Sequence, residues 1–594
     1  MKYSRLYLQD QEQSKSESSN PGMHSLLQGG YLREIGPGLY GIMPIGRRVM
    51  NNITEIIRKE LTAIGGEEFF LPLLSPGELW RETGRDQVIA HDLTYVQDKQ
   101  DKSLVLSPSH EESFIAMARQ SFTRSDQLPA FLYQFQLRFR DEAPHGQGLV
   151  RAREFLMADA FSLHTSEVGL NNFFPQVFAA FQRMFTQFGL KVFIAPGAAE
   201  YSSGDPAYEI LVPAKKGEHN LVICQNTGHI ANQDVAVGLF KTKASRLRNL
   251  EPLADHHGKN PAGVISAMGV PTSRLVQCHI YLTVNSIVMT VLRGDQTLSR
   301  DKLSRLIQEP VIREARPEEV EEMGLVPHYV SPLNLSMELK DALNLKILVD
   351  NAVADSTNLS IPGNREGLYY ANSNFGRDYS ADIVGDLARV NSECRCYHCG
   401  GEVEIQRVVK LAHLYRMGDS FARSMDFTIT DQRGETAYPH LGSYGLGIGR
   451  LMATVAEYRS DHQSLCWPMS ITPFKAHLVV VGRGHRLLQI AEHVYSRIKD
   501  DVLWDDRPIP VLQKFRDADR LGIPIRLVIS ASSLEDGSLM FSHRILSPPC
   551  RVPFNRIKER FAELETLEQE YGPQEKPGIG ELKQQISEYM KQRQ

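Results

Sequence analysis

The sequence has few of the features that mark membrane or secreted proteins. It has 594 residues, and no uninterrupted apolar run approaches the roughly 18 residues that cross a bilayer. The first twenty residues are polar and charged, and they lack the apolar centre of a secretion signal. Seven cysteines, an odd and scattered number, do not form a disulfide framework. We therefore expect a cytoplasmic protein with reduced thiols and no membrane partner.

The composition also lacks an excess of positive charge. The net charge is −5, so any contact with nucleic acid must come from a local basic patch. Hydrophobic residues make up 42% and charged residues 23%, which is ordinary for globular proteins. The chain is too long to fold around one hydrophobic core, and its length predicts roughly three or four domains.

Hydrophobic periodicity, polar stretches and prolines divide the chain into segments. A helix is predicted over 49–61, a strand over the segment EEFFLPLL, and strand-like runs with embedded charges from 104 to 164. A polar stretch around 256–261, the segment CRCYHCGG and the prolines before 476 indicate boundaries, and strands and helices alternate beyond 476 as in a small α/β domain with a largely parallel sheet. We predict five segments: 1–224, 225–405, 406–472, 473–553 and a helical extension, 554–594.

One charged segment has residues of the types that bind a nucleotide. FRDE ends at Glu142, GLVR ends at Arg151, and REFLM contains Phe155. This pattern resembles motif 2 of class II aminoacyl-tRNA synthetases, in which two antiparallel strands bind ATP. The resemblance implies that Arg140 and Arg151 contact phosphates, that Glu142 accepts from the adenine amino group and that Phe155 stacks on the base. The alternative is a half-exposed strand pair with ion pairs.

Two further segments resemble the other class II motifs. GSYGLGIGR, followed by a helical run, resembles motif 3 and implies that Arg450 contacts the terminal phosphate. A dinucleotide-binding glycine loop is the alternative, although the order of the motifs is that of class II. The segment between Pro44 and Pro72 resembles motif 1 and implies a homodimer; an ordinary surface helix is the alternative.

The segments LWRETGR, SPSHEE and EFLMADAFSLH resemble bacterial-type prolyl-tRNA synthetases. This resemblance implies a proline site formed by Ser109, Glu111, Arg140, His413 and Ser443. Serine replaces the family's threonine at 109 and its usual cysteine at 443. An alternative for SPSHEE is a helix cap, because Ser109 and Glu112 have the spacing of a capping box.

Residues 225–405 resemble the insertion domain with which bacterial relatives hydrolyse alanyl-tRNA for proline. The family's key lysine corresponds to Gln277 and its histidine to Tyr369, and the glycine-rich loop is shortened to Gly324–Pro327. A neutral amide cannot supply the attraction that a lysine exerts on a phosphate. We therefore expect little editing.

The C-terminal α/β segment resembles the anticodon-binding domain of class II synthetases. Its candidate tRNA contacts are Lys514, Arg516 and Arg520, and an exposed salt-bridged helix is the alternative.

The cysteines near 396 have the shape of half a zinc site. Cys394, Cys396 and Cys399 lie close in sequence, but no second CxxC exists. We therefore predict no metal site.

Together these features predict an α/β and α+β multidomain protein. It has an antiparallel class II catalytic core, an inserted α+β editing-like domain and a C-terminal α/β anticodon-binding domain. The implied reaction is activation of L-proline with ATP and Mg²⁺, catalysed by Arg140 and Arg450, and transfer to tRNA(Pro). The alternatives are a paralogue that activates proline or an analogue for a specialised pathway, and a non-catalytic tRNA-binding regulator.

Overall fold

A computed structural model describes residues 1–7, 20–90, 92–141, 148–197, 207–242, 244–254, 269–460, 465–482 and 484–571. It divides into two compact units, Met1–Pro76 with Thr94–Phe193 and Ile429–Gln594, and Gly77–Leu93 with Ile194–Thr428. The five domain boundaries given above stay predictions. Among the described residues, no helix is both long enough and apolar enough to span a membrane.

The first unit contains an antiparallel sheet with helices, as predicted. The helices of its N-terminal and central parts are Pro21–Gln28, Pro44–Ala63, Glu111–Ser121, Glu167–Gln187 and Ile448–Tyr458. Its strands are Leu32–Gly36, Leu39–Ile42, Glu67–Glu68, Leu74–Pro76, Thr94–Gln97, Ser103–Leu106, Ala130–Phe139, Glu154–His164, Ile429–Thr430, Thr436–Ala437 and His440–Gly447. The sheet order is His440–Gly447, Glu154–His164, Ala130–Phe139 and Glu67–Glu68.

The strand expected over EEFFLPLL is mostly absent. Glu67–Glu68 pairs in parallel with Ala130–Phe139, and Leu74 begins the short strand Leu74–Pro76, which pairs with Ser103–Leu106. Between these two strands the backbone leaves the ladder, because the Leu71 amide donates to the side-chain oxygen of Gln134 at 2.8 Å and the Leu71 carbonyl accepts from the side chain of Gln136. Side-chain amides thus satisfy the polar groups that a strand partner would have taken.

The C-terminal part of the first unit is an α/β domain. Its strands are Ala476–Val480, Val502–Trp504, Ile525–Ile529, Ser538–His543 and Ser547–Pro553, and its helices are His485–Ile498, Val511–Arg520, Ser533–Asp536 and Ile557–Tyr571. The first three strands are parallel and the last two antiparallel, so the sheet is more mixed than expected. Helix Ile557–Tyr571 buries Phe561 and Leu564 in the core of this domain, so this part of the predicted extension packs as an integral element.

The second unit is built from two main groups of strands and several short helices. One group contains Phe193–Gly197, Ala207–Pro213, His219–Cys224, Ile230–Asn232 and Val403–Gly418; the other contains Val276–Thr283, Ile287–Arg293, Val311–Glu314, Leu345–Asp350 and Ile383–Gly385. A smaller three-stranded sheet contains Glu251–Ala254, Leu368–Ser373 and Leu359–Pro362. Strand Gly238–Leu239 pairs with Arg395–Cys396. The helices are Gly77–Glu82, Arg85–Val88, Arg300–Ile307, Pro317–Glu322, Met337–Ala342, Asn351–Ala354 and Ser420–Ser424.

A buried ion cluster ties together the elements that carry the predicted motifs of the first unit. The guanidinium of Arg138 donates to the carboxylate of Asp159 at 2.5 Å, and Nδ1 of His110 lies 3.2 Å from the other carboxylate oxygen. All three side chains are buried. Burial alone would raise the pKa of Asp159, but the charge of Arg138 and the bond to His110 hold it below its ordinary value. Asp159 is therefore a buried carboxylate held in its charged form.

We predict that Asp159→Asn lowers the free energy of unfolding by about 3–5 kcal/mol, because it leaves Arg138 charged and buried without a counter-ion. Urea unfolding followed by tryptophan fluorescence measures the loss. Asp126→Asn is the matched control: it breaks the exposed pair with Arg124, which should contribute less than about 1 kcal/mol.

The pH dependence has a defined sign. The pKa of Asp159 is depressed in the folded protein, so its contribution is fully present above about pH 4 and is lost as the pH falls through the folded-state pKa. An Asp159→Asn variant as stable as the control variant at pH 7 would contradict this account.

Candidate active site

The predicted ATP-binding residues of motif 2 lie on and beside two paired strands. Strand Ala130–Phe139 ends just before Arg140, and Phe155 is the second residue of Glu154–His164. The guanidinium carbon of Arg140 lies 5.6 Å from the centre of the Phe155 ring, and the Arg140 amide donates to the Arg153 carbonyl at 2.8 Å. A cation and an aromatic face are thus held together, as binding of a nucleotide's base and phosphates requires. Glu142 lies outside the described residues.

The other two predicted phosphate contacts lie at helix ends. Arg151 closes the short 3₁₀ helix Gly148–Arg151, and Arg450 is the third residue of helix Ile448–Tyr458. Both side chains are partly exposed. A Cβ at Gly449 would be in ordinary contact with Leu149, so the helix passes close to the segment that carries Arg151. The positive end of this helix adds to the charge of Arg450.

The glycine-rich segment is a strand of the antiparallel sheet. His440–Gly447 pairs antiparallel with Glu154–His164 and leads directly into the helix. A Cβ at Gly442 would lie 2.6 Å from the hydroxyl of Ser162 and closer still to the Tyr444 hydroxyl, so a side chain has no room there. A dinucleotide-binding loop follows a strand of a parallel βαβ unit. The alternative of such a loop is therefore wrong.

The structure joins two of the predicted proline-binding residues. The hydroxyl of Ser443 donates to a carboxylate oxygen of Glu111 at 3.0 Å. Ser443 is 1% exposed and Glu111 5%, and Ser109, two residues before Glu111, is also buried. Glu111 is the first residue of helix Glu111–Ser121, where a negative charge is favoured. A carboxylate and a hydroxyl are thus joined in the buried core.

The capping-box alternative for SPSHEE is wrong. The N-cap residue of helix Glu111–Ser121 is His110, and its side chain makes no capping hydrogen bond. The side chain of His110 is engaged by Asp159 instead. Ser109 therefore does not serve as the cap.

His413 lies in the second unit, on strand Val403–Gly418. It pairs with Glu209 of the neighbouring strand, and its ring stacks on Tyr415 with 4.4 Å between ring centres. Its assignment to proline stays a prediction.

The predicted tRNA contacts differ in exposure. The ammonium of Lys514 is buried and donates to the Asp505 carbonyl at 2.8 Å, and burial lowers its pKa. The ammonium of Lys514 therefore points into its own domain, and its assignment to tRNA stays a prediction. Arg516 and Arg520 lie on the same helix with exposed side chains. These two arginines have the geometry of an RNA-facing pair, and the role itself stays a prediction.

The residues that replace the family's editing groups are engaged within the second unit. The side-chain amide of Gln277 donates to the carbonyls of Arg293 and Gln296, at 3.1 and 2.7 Å. Tyr369 is 1% exposed and packs edge-on against Tyr329, with ring centres 5.6 Å apart. Both side chains are uncharged, and their correspondence to the family's editing groups stays a prediction.

Two buried residues beside Glu111 were not predicted to have a role, namely His110, which precedes Glu111, and its partner Asp159. His110 and Asp159 were quoted only within longer segments. A signal was present, because a lone aspartate inside the apolar run FLMADAFSL must be buried with a partner.

Family models match most of the chain. A model described as the tRNA synthetase class II core domain (G, H, P, S and T) matches residues 94–459, and one described as the anticodon binding domain matches residues 475–564.

Curated relatives match over nearly the full length. A proline–tRNA ligase of Dehalococcoides mccartyi is 31% identical over 94% of this chain and 98% of its own. One of Thermotoga maritima is 30% identical over 97% of this chain and 100% of its own.

Solved structures share the fold at low identity. Prolyl-tRNA synthetase of Cryptosporidium parvum, complexed with L-proline and AMP, has a TM-score of 0.55 and 11% identity over 96% of this chain and 78% of its own. The Giardia lamblia enzyme, in complex with prolyl-adenylate, has a TM-score of 0.56 and 12% identity over 93% and 80%. The chain belongs to the proline–tRNA ligase family of class II aminoacyl-tRNA synthetases.

Proposed function

We propose that this chain activates proline with ATP and transfers it to tRNA(Pro). The observation that carries the proposal is the single antiparallel sheet that holds both motifs: Arg140 lies over Phe155 at one strand pair, and Ser443 bonds to Glu111 beside the next. A cationic aromatic surface suits a nucleotide, and a buried carboxylate suits the ring nitrogen of proline.

The first step is adenylate formation. A carboxylate oxygen of proline attacks the α-phosphorus of ATP, the bond to the bridging oxygen breaks, and pyrophosphate leaves. Arg140 and Arg450 stabilise the charge that builds on the phosphate oxygens, and Arg151 holds the leaving phosphates. No protein nucleophile takes part, so positioning of the two substrates supplies most of the rate.

The second step moves the aminoacyl group. A terminal ribose hydroxyl of the tRNA attacks the carbonyl carbon of prolyl-adenylate, its proton is lost, and AMP leaves. The acceptor is a substrate, and the chain contributes the site that holds the adenylate in line with it.

Proline would be held by its ring nitrogen. In the charged form this nitrogen carries two N–H donors, and Glu111 offers a carboxylate whose orientation Ser443 fixes from the far side. Ser109 lies two residues away and is also buried. A buried carboxylate favours an amino acid that presents a charged nitrogen to it.

Mg²⁺ belongs to the proposal as a companion of ATP. The three arginines of the site carry no lone pairs for a cation, so the ion would be held mainly by phosphate oxygens and water. When bound, it neutralises phosphate charge.

The partners extend the proposal. Arg516 and Arg520 are exposed on one helix of the anticodon-binding domain and would contact tRNA. Ile35 and Phe70 are 78% and 72% exposed near the segment that resembles motif 1, which supports a homodimer that covers them. We place the reaction in the cytoplasm, with the tRNA pool.

We predict that Arg140→Ala abolishes proline-dependent exchange of pyrophosphate into ATP, because the transition state loses a phosphate-contacting guanidinium worth about 3–4 kcal/mol, or roughly a hundredfold or more in rate. Arg124→Ala is the matched control, since its side chain is exposed and pairs only with Asp126. Near-normal exchange by a folded Arg140→Ala protein would remove Arg140 from the site.

A second prediction concerns the proline pocket. Ser443→Ala removes the hydrogen bond that orients Glu111, so the KM for proline should rise by roughly ten- to a hundredfold, as expected for a bond to a charged group worth about 1.5–3 kcal/mol. The KM for ATP should change far less. Ser121→Ala is the control, because this serine lies on the same helix as Glu111 but is exposed, and its hydroxyl donates to the Met117 carbonyl. Equal rises in both KM values would mean that Ser443 supports the fold and does not select proline.

A third prediction concerns the second unit, where we expect slow deacylation of alanyl-tRNA for proline. Gln277 is neutral and donates to two backbone carbonyls, and Tyr369 is buried. A time course with purified protein, Gln277→Lys, Gln277→Ala and a blank measures it. Hydrolysis by the unchanged chain well above the blank, reduced in Gln277→Ala, would show that the amide does the work assigned to lysine.

A further inference from the structure

Three thiols from two distant segments of the second unit lie together. The Sγ atoms of Cys224, Cys396 and Cys399 are within 4.8 Å of one another. Cys224 and Cys399 are 175 residues apart in sequence, yet their sulfurs are separated by 3.5 Å. Cys224 and Cys396 are buried and Cys399 is exposed, so the cluster reaches the surface on one side.

The two segments have the same backbone turn. The amide of Gly228 donates to the Cys224 carbonyl at 2.9 Å, and the amide of Gly400 donates to the Cys396 carbonyl at 2.8 Å. Both glycines have φ of 68°, in the left-handed region that favours glycine. In each turn the glycine lies four residues after the cysteine. The two turns are therefore repeats of one local design.

The spacing of the side chains repeats as well. One turn has Cys396 and Cys399 followed by glycine; the other has Cys224 and, three residues on, Thr227 followed by glycine. This is the arrangement of two facing CxxC turns in which threonine has replaced the fourth cysteine. Because residue 227 is threonine and not cysteine, the sequence contains no second CxxC.

Hydrogen bonds converge on the sulfurs. The amide of Gly401 donates to Sγ of Cys399 at 3.4 Å. The hydroxyl and the amide of Thr227 donate to Sγ of Cys224. Amide donors to sulfur stabilise thiolates, which are the form that binds metals.

We propose that Cys224, Cys396 and Cys399 bind one zinc ion through three thiolates, with a solvent molecule in the fourth position on the exposed side. Soft thiolates select zinc among the common divalent ions. A zinc–sulfur bond of about 2.3 Å places two sulfurs of a tetrahedral site about 3.8 Å apart. The 3.5 Å between Cys224 and Cys399 is close to that value and far from the roughly 2.05 Å of a disulfide.

The proposed zinc ligands differ from the three cysteines that lie close together in sequence. Of the three cysteines near 396, Cys394 does not belong to the cluster: its thiol donates to the side chain of Asn391 at 3.3 Å. It packs in an apolar cluster with Val222, Ala231, Ala236 and Val390. Cys224 takes its place, from a hairpin that no local pattern connects with the others.

Zinc would act as a cross-link. Binding displaces the remaining thiol protons to solvent and joins the hairpin formed by His219–Cys224 and Ile230–Asn232 to the turn after Arg395–Cys396. The hairpin also bonds to the strand that follows this turn, because the side-chain amide of Gln225 donates to Glu404 at 3.2 Å. The ion would thus stabilise one end of the second unit.

The test uses the full chain, purified under reducing conditions, with zinc per chain measured by mass spectrometry after dialysis. We expect one zinc per chain, its loss in Cys396→Ser, and its retention in the matched control Cys394→Ser. Cobalt in place of zinc should give the thiolate charge-transfer band in the unchanged chain and not in Cys396→Ser. Retention of a native circular dichroism spectrum shows that a variant has folded.

Thr227→Cys provides a gain of function. It completes the second CxxC and should hold zinc against a chelator more tightly than the unchanged chain. The proposal is overturned if the unchanged chain retains no zinc and shows no cobalt–thiolate band, or if Cys394→Ser loses zinc as Cys396→Ser does. A Cys224–Cys399 disulfide in metal-free protein purified under reducing conditions would also overturn it.

Discussion

The carboxylate of Asp159 is the constraint on which the candidate site depends. It lies in the central strand of the antiparallel sheet, opposite Gln134 on one side and Gly445 on the other. Its bonds to Arg138 and His110 fix the strand of motif 2 and the first turn of the helix that begins with Glu111. A buried charge of this kind tolerates few geometries, because a misplaced partner costs several kcal/mol. The cluster therefore sets where Glu111 meets Ser443.

Prediction from sequence succeeded for elements with a long hydrophobic periodicity and for motifs that occur along the chain in the class II order. The helix over 49–61, the paired strands of motif 2 and the helix after the glycines of motif 3 were all found. Prediction failed where side chains compete with the backbone. The segment EEFFLPLL leaves the sheet because Gln134 and Gln136 satisfy its polar groups, and the expected cap at Ser109 is absent because His110 turns toward Asp159. Such competition depends on residues far along the chain.

Contacts at long range explain the other differences. Lys514 has the spacing of an exposed helical cation, yet the Asp505 carbonyl draws its ammonium inward. Cys224 has no partner within its own segment, and only the fold brings it to Cys396 and Cys399. Residue type and spacing identify chemistry that is local. They say little about groups whose partners arrive from another element, because one sequence pattern is compatible with many tertiary neighbours.

The hydroxyl at position 443 has a consequence for the chemistry of the pocket. Relatives usually carry a thiol there, which is a weak hydrogen-bond donor and a target for oxidation. Serine gives Glu111 a stronger donor that no oxidant or alkylating agent readily modifies. The exposed thiol of Cys399 lies instead in the second unit. Oxidative damage would thus reach the zinc-type cluster first and spare the side chains proposed to hold the amino acid.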